Sequence, residues 1–426
     1  MLEKKKQSYP WRLMWLCWLI YAVSYMGKVN YNANVNQIME YYGAGKAETG
    51  LATTFFFIAY GAGQIFNGIF CKKYNLKWVI FGSLTLSGTI NFLIPFVPVS
   101  SFGVIKFMWL LNGASMSVLW PCLIRLLSEH LSKRNMATAS VIIGTTVATG
   151  TFAIYGLSAI YSTFNFKFAF FTAGIALPLV ALVWISLAPT LMKKAKAIAE
   201  EEDSEFIPTT TTKLPVQATK SVGVERKLLF LSIFTLMFYA VFTNLIKDGL
   251  TTWVPNILKE DFGLPDSLSI IFTLALPMVM LFGNMFAVKL HKKIPDFVTQ
   301  CAVQFFTAGL LILTVIASLR FNFLPLTIFG FAFPCFSAGA CNSIITSIFP
   351  LFMKGKVNSG LIAGILNGFC YMGSAISQYG LGSVSEALGS WTGVLWMLAI
   401  VCATVVFIAI VYHIIRIFIK KNKTKE

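Results

Sequence analysis

The sequence predicts an all-α membrane protein of twelve transmembrane helices in two six-helix bundles. Three observations lead there. Of 426 residues, 57% are hydrophobic and only 12% charged, more apolar surface than a water-soluble fold can bury. The apolar runs recur along nearly the whole chain, each close to the ~20 residues a helix needs to cross a bilayer. One long polar stretch, 190–227, divides those runs six and six, giving a first bundle over 1–189 and a second over 228–426.

The first span, near 11–38, follows Lys4-Lys5-Lys6. Ala22-Val-Ser inside it resembles a signal-peptide cleavage site, but cleavage would discard the span that carries the chain's most informative residue, so it is kept as a helix. Further spans are expected near 47–71, 77–97, 101–127, 136–161 and 166–189. The connection then carries Lys193, Lys194 and Lys196, the acidic run Glu200-Glu-Glu-Asp203, four threonines from Thr209, and Pro208 and Pro215. Its low hydrophobicity without a period reads as a linker, with room for a short surface helix at its start. The second set is expected near 228–254, 266–290, 296–318, 323–350, 356–382 and 389–418.

The net charge of +17 does not mark a nucleic-acid partner, because the basic residues fall in short connections and tails. Lys72-Lys73, Lys133-Arg134, the linker lysines, Lys292-Lys293, Lys354 with Lys356 and the tail collect on one side. That bias predicts both termini in the cytoplasm of a cell-membrane protein. The eight cysteines are scattered through apolar segments and read as packing residues. His130, His291 and His413 make no metal-ligand spacing, and no Walker loop, H-E-x-x-H or nucleophile elbow occurs. The expectation is a non-enzyme without cofactor or metal, monomeric, its partners a small anionic solute and lipid.

Within the first span lies Tyr21-Ala-Val-Ser-Tyr-Met-Gly-Lys28-Val-Asn-Tyr-Asn-Ala-Asn34. A lysine inside a membrane-length helix costs several kcal/mol and is seldom there without a task. The seventh span has a counterpart: Tyr239-Ala-Val precedes Lys247 as Tyr21-Ala-Val precedes Lys28. Each lysine is about 18 residues into its expected span, roughly 27 Å along the axis. Lys28 and Lys247 are therefore expected to converge on an anion, against the blander reading that they snorkel or neutralise a neighbour such as Asp248. Asp248, the one carboxylate firmly in mid-span, is the candidate for proton coupling. Tyr31, Asn32, Gln64, Asn244 and Tyr371 are the expected polar lining, although amides and hydroxyls also join helices.

Local motifs add a resemblance. Tyr25-Met-Gly-Lys-Val-Asn30, Ile58-Ala-Tyr-Gly61 with Gly68, Trp120-Pro121 with Arg125, and Lys247-Asp-Gly-Leu-Thr-Thr-Trp-Val-Pro255 resemble the major facilitator superfamily. Within it they are similar to the organophosphate:phosphate antiporters, which carry glycerol-3-phosphate or hexose phosphates. The resemblance implies a twelve-helix fold working by alternating access, with Lys28 and Lys247 at the positions of two phosphate-clamping arginines. Lysine keeps the charge and loses the planar bidentate fork. Gln64 stands where that family has a lysine, its helix-five arginine, Trp-Asn and histidine signature is not kept over 135–150, and the acidic residue and arginine usual after helix two are absent from Cys71-Lys-Lys-Tyr74. The implied function is a secondary carrier of a small organic anion, by exchange or proton coupling, its anionic group a phosphate, carboxylate or sulfonate. The alternatives are a proton-coupled carrier of a neutral sugar or drug, and a membrane sensor that binds without transporting.

Overall fold

The computed structural model describes residues 8–205, 222–352 and 359–423. Lys4–Lys6, most of the threonine- and proline-bearing linker, Lys354, Lys356 and Lys425 lie outside the described residues. Among the described residues twelve helical rods follow one another. They are α1 (Ser8–Ala33, continued by Val35–Tyr42), α2 (Lys46–Phe70), α3 (Leu76–Leu93), α4 (Phe102–Met116 and Leu119–His130), α5 (Lys133–Gly144 and Thr146–Tyr161) and α6 (Lys167–Glu205). Then come α7 (Val222–Phe262), α8 (Asp266–Thr273 and Ala275–Lys293), α9 (Phe297–Arg320), α10 (Leu324–Ser343 and Phe349–Phe352 about a π turn at Ile344–Ile348), α11 (Ser359–Leu388) and α12 (Trp391–Lys423). Among the described residues, 10 of the rods are long and apolar enough to cross a membrane. The remaining two, α1 and α11, carry Lys28, Asn30 and Asn32, and Asn367, Tyr371 and Gln378.

Among the described residues the rods build two large apolar cores and a smaller one where Ile154 and Tyr155 of α5 meet Ile270 and Leu274 of α8. One large core packs Phe56, Trp109, Phe170 and Trp184 from α2, α4 and α6. The other large core packs Tyr239, Trp253, Phe331 and Trp391 from α7, α10 and α12. Their outer surfaces are apolar too: Phe282, Ile400 and Phe407 are 64%, 63% and 64% exposed, which suits lipid and not water. The chain is an integral membrane protein.

Polar residues in α1 fix its place in the first bundle. Gly27 O accepts from Asn91 Nδ2 of α3 at 3.2 Å and Asn112 Nδ2 of α4 at 2.9 Å, while Asn30 Nδ2 donates to Asn91 Oδ1 at 2.8 Å. Asn34 Nδ2 donates to Asn30 O (2.7 Å) and to Ser158 Oγ of α5 (2.9 Å), and α1 breaks at that residue. A short amide side chain offers the backbone a rival partner, so a break there is expected.

The helices outrun the apolar spans at the linker. α6 continues to Glu205, and Glu202 Oε2 accepts from Ser132 Oγ (2.5 Å) and Asn135 Nδ2 (3.1 Å), tying the extension to the start of α5. Hydrophobic length bounds what the bilayer holds, not where a helix stops. At the same end of the second bundle Asp296 caps α9, its Oδ2 accepting from Thr299 N at 2.9 Å, and pairs with Arg416 at 2.6 Å and His413 at 3.8 Å. Burial works against the Asp296 charge, but the two Thr299 hydrogen bonds and the Arg416 and His413 cations outweigh it and hold the carboxyl below its usual value.

α2 and α11 meet along a seam of glycines that joins the bundles. A Cβ on Gly50 would lie 2.2 Å from Gln378 O, and one on Gly61 would lie 2.8 Å from Tyr371 Cβ. From the other side, a Cβ on Gly382 would lie 2.8 Å from Lys46 O. Thr54 Oγ1 donates to Ala375 O at 2.8 Å and accepts from Tyr379 N at 3.1 Å. Only glycine allows backbones this close.

Candidate functional site

Lys28 is buried, 7% exposed, where α1 faces α2 and α11. Its ammonium lies among five aromatic rings. Nζ is 4.0 Å from the Tyr60 ring centroid, 4.9 Å from Tyr25, 5.4 Å from Tyr371, 5.9 Å from Phe57 and 6.0 Å from Phe56. Tyr60 and Tyr371 meet edge to face at 4.8 Å, and Tyr21 packs against Tyr25 and Trp120 behind them. Lys28 makes no salt bridge among the described residues. Each well-placed ring is worth about 0.5–2 kcal/mol to a desolvated cation. The rings thus offset part of the cost of burial without cancelling the charge. That charge remains available to an anion.

Lys247 on α7 is held differently. Its Nζ is 3.4 Å from Asp248 Oδ1, and the two side chains keep 21% and 18% exposure although both lie deep in the helical span. Ser374 Oγ of α11 donates to Asp248 Oδ2, and Asn244 Nδ2 donates to Ser374 Oγ at 3.0 Å. Gln378 Nε2 donates to the Asp248 carbonyl at 3.2 Å. α11 links the two halves: Tyr371, in the Lys28 box, and Ser374, on Asp248, are three residues apart and share one helix face.

At the end away from the termini the bundles are tied together. Lys46 Nζ reaches Glu260 Oε2 (2.7 Å) and Ser385 Oγ (3.1 Å), and Trp391 Nε1 donates to Glu260 Oε2 (2.9 Å) and Asn256 Oδ1 (3.0 Å). Asn256 Nδ2 donates to Asn36 Oδ1 at 2.9 Å, Asn36 Nδ2 donates to Asp266 Oδ1 at 3.0 Å, and Lys259 pairs with Asp266 (3.1 Å) and Glu40. Glu386 Oε2 accepts from Ala47 N at 3.0 Å, at the start of α2. The two bundles are thus latched at one end, with the buried Lys28 and the half-buried Lys247 between the ends of their helices.

A model of the Major Facilitator Superfamily matches residues 17–359. The chain belongs to the Major Facilitator Superfamily. Parts of it are similar to the membrane sensor protein UhpC: 29% identical over 125 residues in Escherichia coli (strain K12) and 28% over 116 in Salmonella typhimurium. Those matches span 29% and 27% of this chain, and 28% and 26% of the relatives, well under their full length. The fold is shared with an inward-facing, unoccupied bacterial homolog of the human lysosomal transporter Spinster, at TM-score 0.71 and 14% identity over 98% of both chains. It is shared as well with the xylose transporter XylE from E. coli, at TM-score 0.70 and 7% identity over 94% of this chain and 97% of that one. Membership in the superfamily sets the chain among membrane proteins of the facilitator fold and not among enzymes.

Within this facilitator the sequence-expected residues divide. Lys28 and Tyr371 come together in the aromatic box, and Lys247, Asp248 and Asn244 share the Ser374 network. Asn32 bridges the bundles, its Nδ2 donating to Thr252 Oγ1 at 2.7 Å while Oδ1 is buried without a partner. Gln64 Oε1 accepts from Asn367 Nδ2 at 3.5 Å across the α2–α11 seam, its Nε2 likewise unpartnered. Tyr31 is elsewhere. It is 1% exposed in the first bundle's core, its ring tilted against Trp109 at 5.1 Å and its hydroxyl donating to Thr49 O at 3.0 Å. Asp248 pairs with its own neighbour, although adjacent helical residues leave the axis about 100° apart. Tyr60, Phe56, Phe57 and Ser374 were not expected. Phe55-Phe56-Phe57 with Ile58-Ala-Tyr60 was the available signal: aromatic residues three and four apart, near the glycine of a recognised motif.

Proposed function

We propose that this facilitator is a secondary carrier of a small organic anion, which it binds between Lys28 and Lys247. One observation carries the reading. Lys28 is a buried cation that rings surround and that makes no ion pair among the described residues. An ammonium so placed gains most from an anion's oxygens, and charge-assisted bonds in a low-dielectric site are the strong ones. The Tyr25, Tyr60 and Tyr371 rings beside the ammonium also carry phenol groups, the kind of donor a tetrahedral or planar oxyanion takes.

The latch of Lys46, Glu260, Lys259 and Asp266 supports a state shut on the side away from the termini. With cytoplasmic termini and a cell-membrane location, that side is the outside and the site loads from the cytoplasm. Rocking of the two bundles about the glycine seam then exposes it to each side in turn. A monomer suffices, since both halves of the site come from one chain.

Uptake of labelled inorganic phosphate and phosphorylated sugars into proteoliposomes tests the reading. Lys28→Ala and Lys247→Ala should each abolish uptake. Anion uptake that survives both variants would falsify the site. A second reading, ligand sensing without transport, draws support from the curated relatives, which are named membrane sensor proteins. Under it, anions bind and shift the thermal midpoint, but loaded vesicles accumulate nothing.

A further inference from the structure

We propose that Tyr155 of α5 is a positioning residue for Lys247: from the opposite bundle it holds a carbonyl that Pro255 sets free, one turn beyond the lysine. The inference rests on the anion reading above, in which Lys247 meets the substrate, and names what keeps that lysine's turn in place.

Proline chemistry is the starting point. Pro255 lies inside α7 and has no N–H, so the carbonyl four residues before it, Thr251 O, loses its helical donor. A carbonyl without a partner is costly away from water. Here the Tyr155 hydroxyl donates to it at 3.1 Å, from a residue only 2% exposed. Donor and acceptor belong to different bundles. This is not what other prolines of the chain do. Pro178 in α6 and Pro334 in α10 free the carbonyls of Gly174 and Gly330 in the same way, and neither accepts a side-chain hydrogen bond among the described residues.

Thr251 stands between two sets of bonds. Its own hydroxyl donates back to Lys247 O (3.0 Å) and Asp248 O (3.2 Å), on the turn that carries the lysine. Before the break α7 is fixed within the second bundle, with Asn244 on Ser374 and Gln378 on the Asp248 carbonyl. Beyond the break it is held by the first bundle. Asn32 Nδ2 of α1 donates to Thr252 Oγ1 at 2.7 Å, and Asn256 Nδ2 donates to Asn36 Oδ1 at 2.9 Å. One residue thus takes the first bundle's tyrosine on its carbonyl and braces the Lys247 turn with its hydroxyl. A shift of α5 is carried through Thr251 to the lysine. When the bundles part at this end, Thr251 O gives up the tyrosine, and with proline at 255 no helical N–H replaces it. The break makes the Lys247 turn respond to contact between the bundles, as an unbroken helix would not.

A double-mutant cycle on protein in lipid nanodiscs tests the bond. Spin labels at Ala44 and Ser390 read the separation of the bundles at this end. Tyr155→Phe keeps the ring and removes the hydroxyl, and should raise the open population roughly 2- to 10-fold, the range for one buried hydrogen bond. In Pro255→Ala or Pro255→Leu the backbone N–H at position 255 takes Thr251 O, so adding Tyr155→Phe should change the distances no further. Two proline variants guard against one failing to fold. A shift of equal size with and without Pro255 would mean that Tyr155 merely packs, and overturns the proposal. The link to Lys247 is read from binding of inorganic phosphate. Tyr155→Phe should weaken it several-fold with Pro255 present and leave it unchanged in the Pro255→Ala background. Phosphate affinity that is the same in wild type and Tyr155→Phe overturns the positioning and leaves the anion site standing. Wild type that binds no phosphate, or binding that survives Lys28→Ala and Lys247→Ala, overturns the anion reading instead, and the distances still decide the bond.

Discussion

Lys46 Nζ on α2 and Glu260 Oε2 on α7 lie 2.7 Å apart, an ion pair that joins the two halves of the chain at the end away from its termini. Trp391 adds to both sides of it, its ring 5.0 Å from the Lys46 ammonium and its Nε1 on Glu260. Partly exposed pairs are individually worth only about 0.2–1 kcal/mol. Glu260→Gln should therefore shift the closed-to-open ratio at this end by up to roughly fivefold, since 1.4 kcal/mol is a factor of ten. Spin labels at Ala44 and Ser390 would report the change as a longer distance population. An unchanged distribution would mean that the pair does not hold the latch.

The glycine seam makes a steeper prediction. A Cβ on Gly50 meets a backbone oxygen at 2.2 Å, and backbone cannot rotate aside as a side-chain tip can. Overpacking of this kind costs about 1–3 kcal/mol. Gly50→Ala should lower the thermal midpoint in detergent. Gly68→Ala, with nothing within 4 Å of the added atom, should leave it unchanged.

The aromatic box predicts opposite signs for stability and function at one residue. Lys28→Met removes a buried charge that makes no ion pair among the described residues, and replacing buried ions by apolar groups is often neutral or stabilising by ~1–4 kcal/mol. The midpoint of ligand-free protein should hold or rise, while its upward shift with phosphate disappears. Tyr60→Phe keeps the ring 4.0 Å from the ammonium, so it should retain more binding than Tyr60→Leu, which loses ring and hydroxyl together.

Asp296 supplies the pH dependence. Its carboxyl is held below the usual value in the fold, so the stability it contributes is present above the unfolded-state pKa and is lost as pH falls through the lower folded value. The thermal midpoints of wild type and Asp296→Asn should differ at neutral pH and converge in acid. Divergence on acidification would contradict the assignment.

How much of this was legible beforehand follows the range of the physics involved. Ten of the spans were readable because membrane helices obey a local rule, about 20 apolar residues each, while α1 and α11 fall short of it on their polar residues. Lys28 and Lys247 were readable because a charge in such a span is costly wherever it stands. The partners were not. Tyr25 and Tyr31 are both three residues from Lys28, yet only Tyr25 turns to it, because Tyr31 is drawn into the core by Trp109 and the Thr49 carbonyl. Tyr60 and Phe57 reach Lys28 from another helix. The latch joins residues more than 200 positions apart, as Lys46 and Glu260 do, and no window of sequence contains both. α6 ran past 189 because Glu202 finds Ser132 and Asn135, a contact that hydropathy does not register.

The π turn at Ile344–Ile348 places one residue more in α10 than an α-helix of that rise would use. Angular position along α10 is therefore not continuous. Phe349–Phe352 are turned about 100° from where the periodicity of Leu324–Ser343 would set them. Phe349 packs edge to face on Phe297 at 5.3 Å, so this ring contact records the offset. Moving the surplus residue along α10 would rotate one part of the helix against the other while its two ends stay in place. A rod that is helical throughout thus contains a built-in swivel.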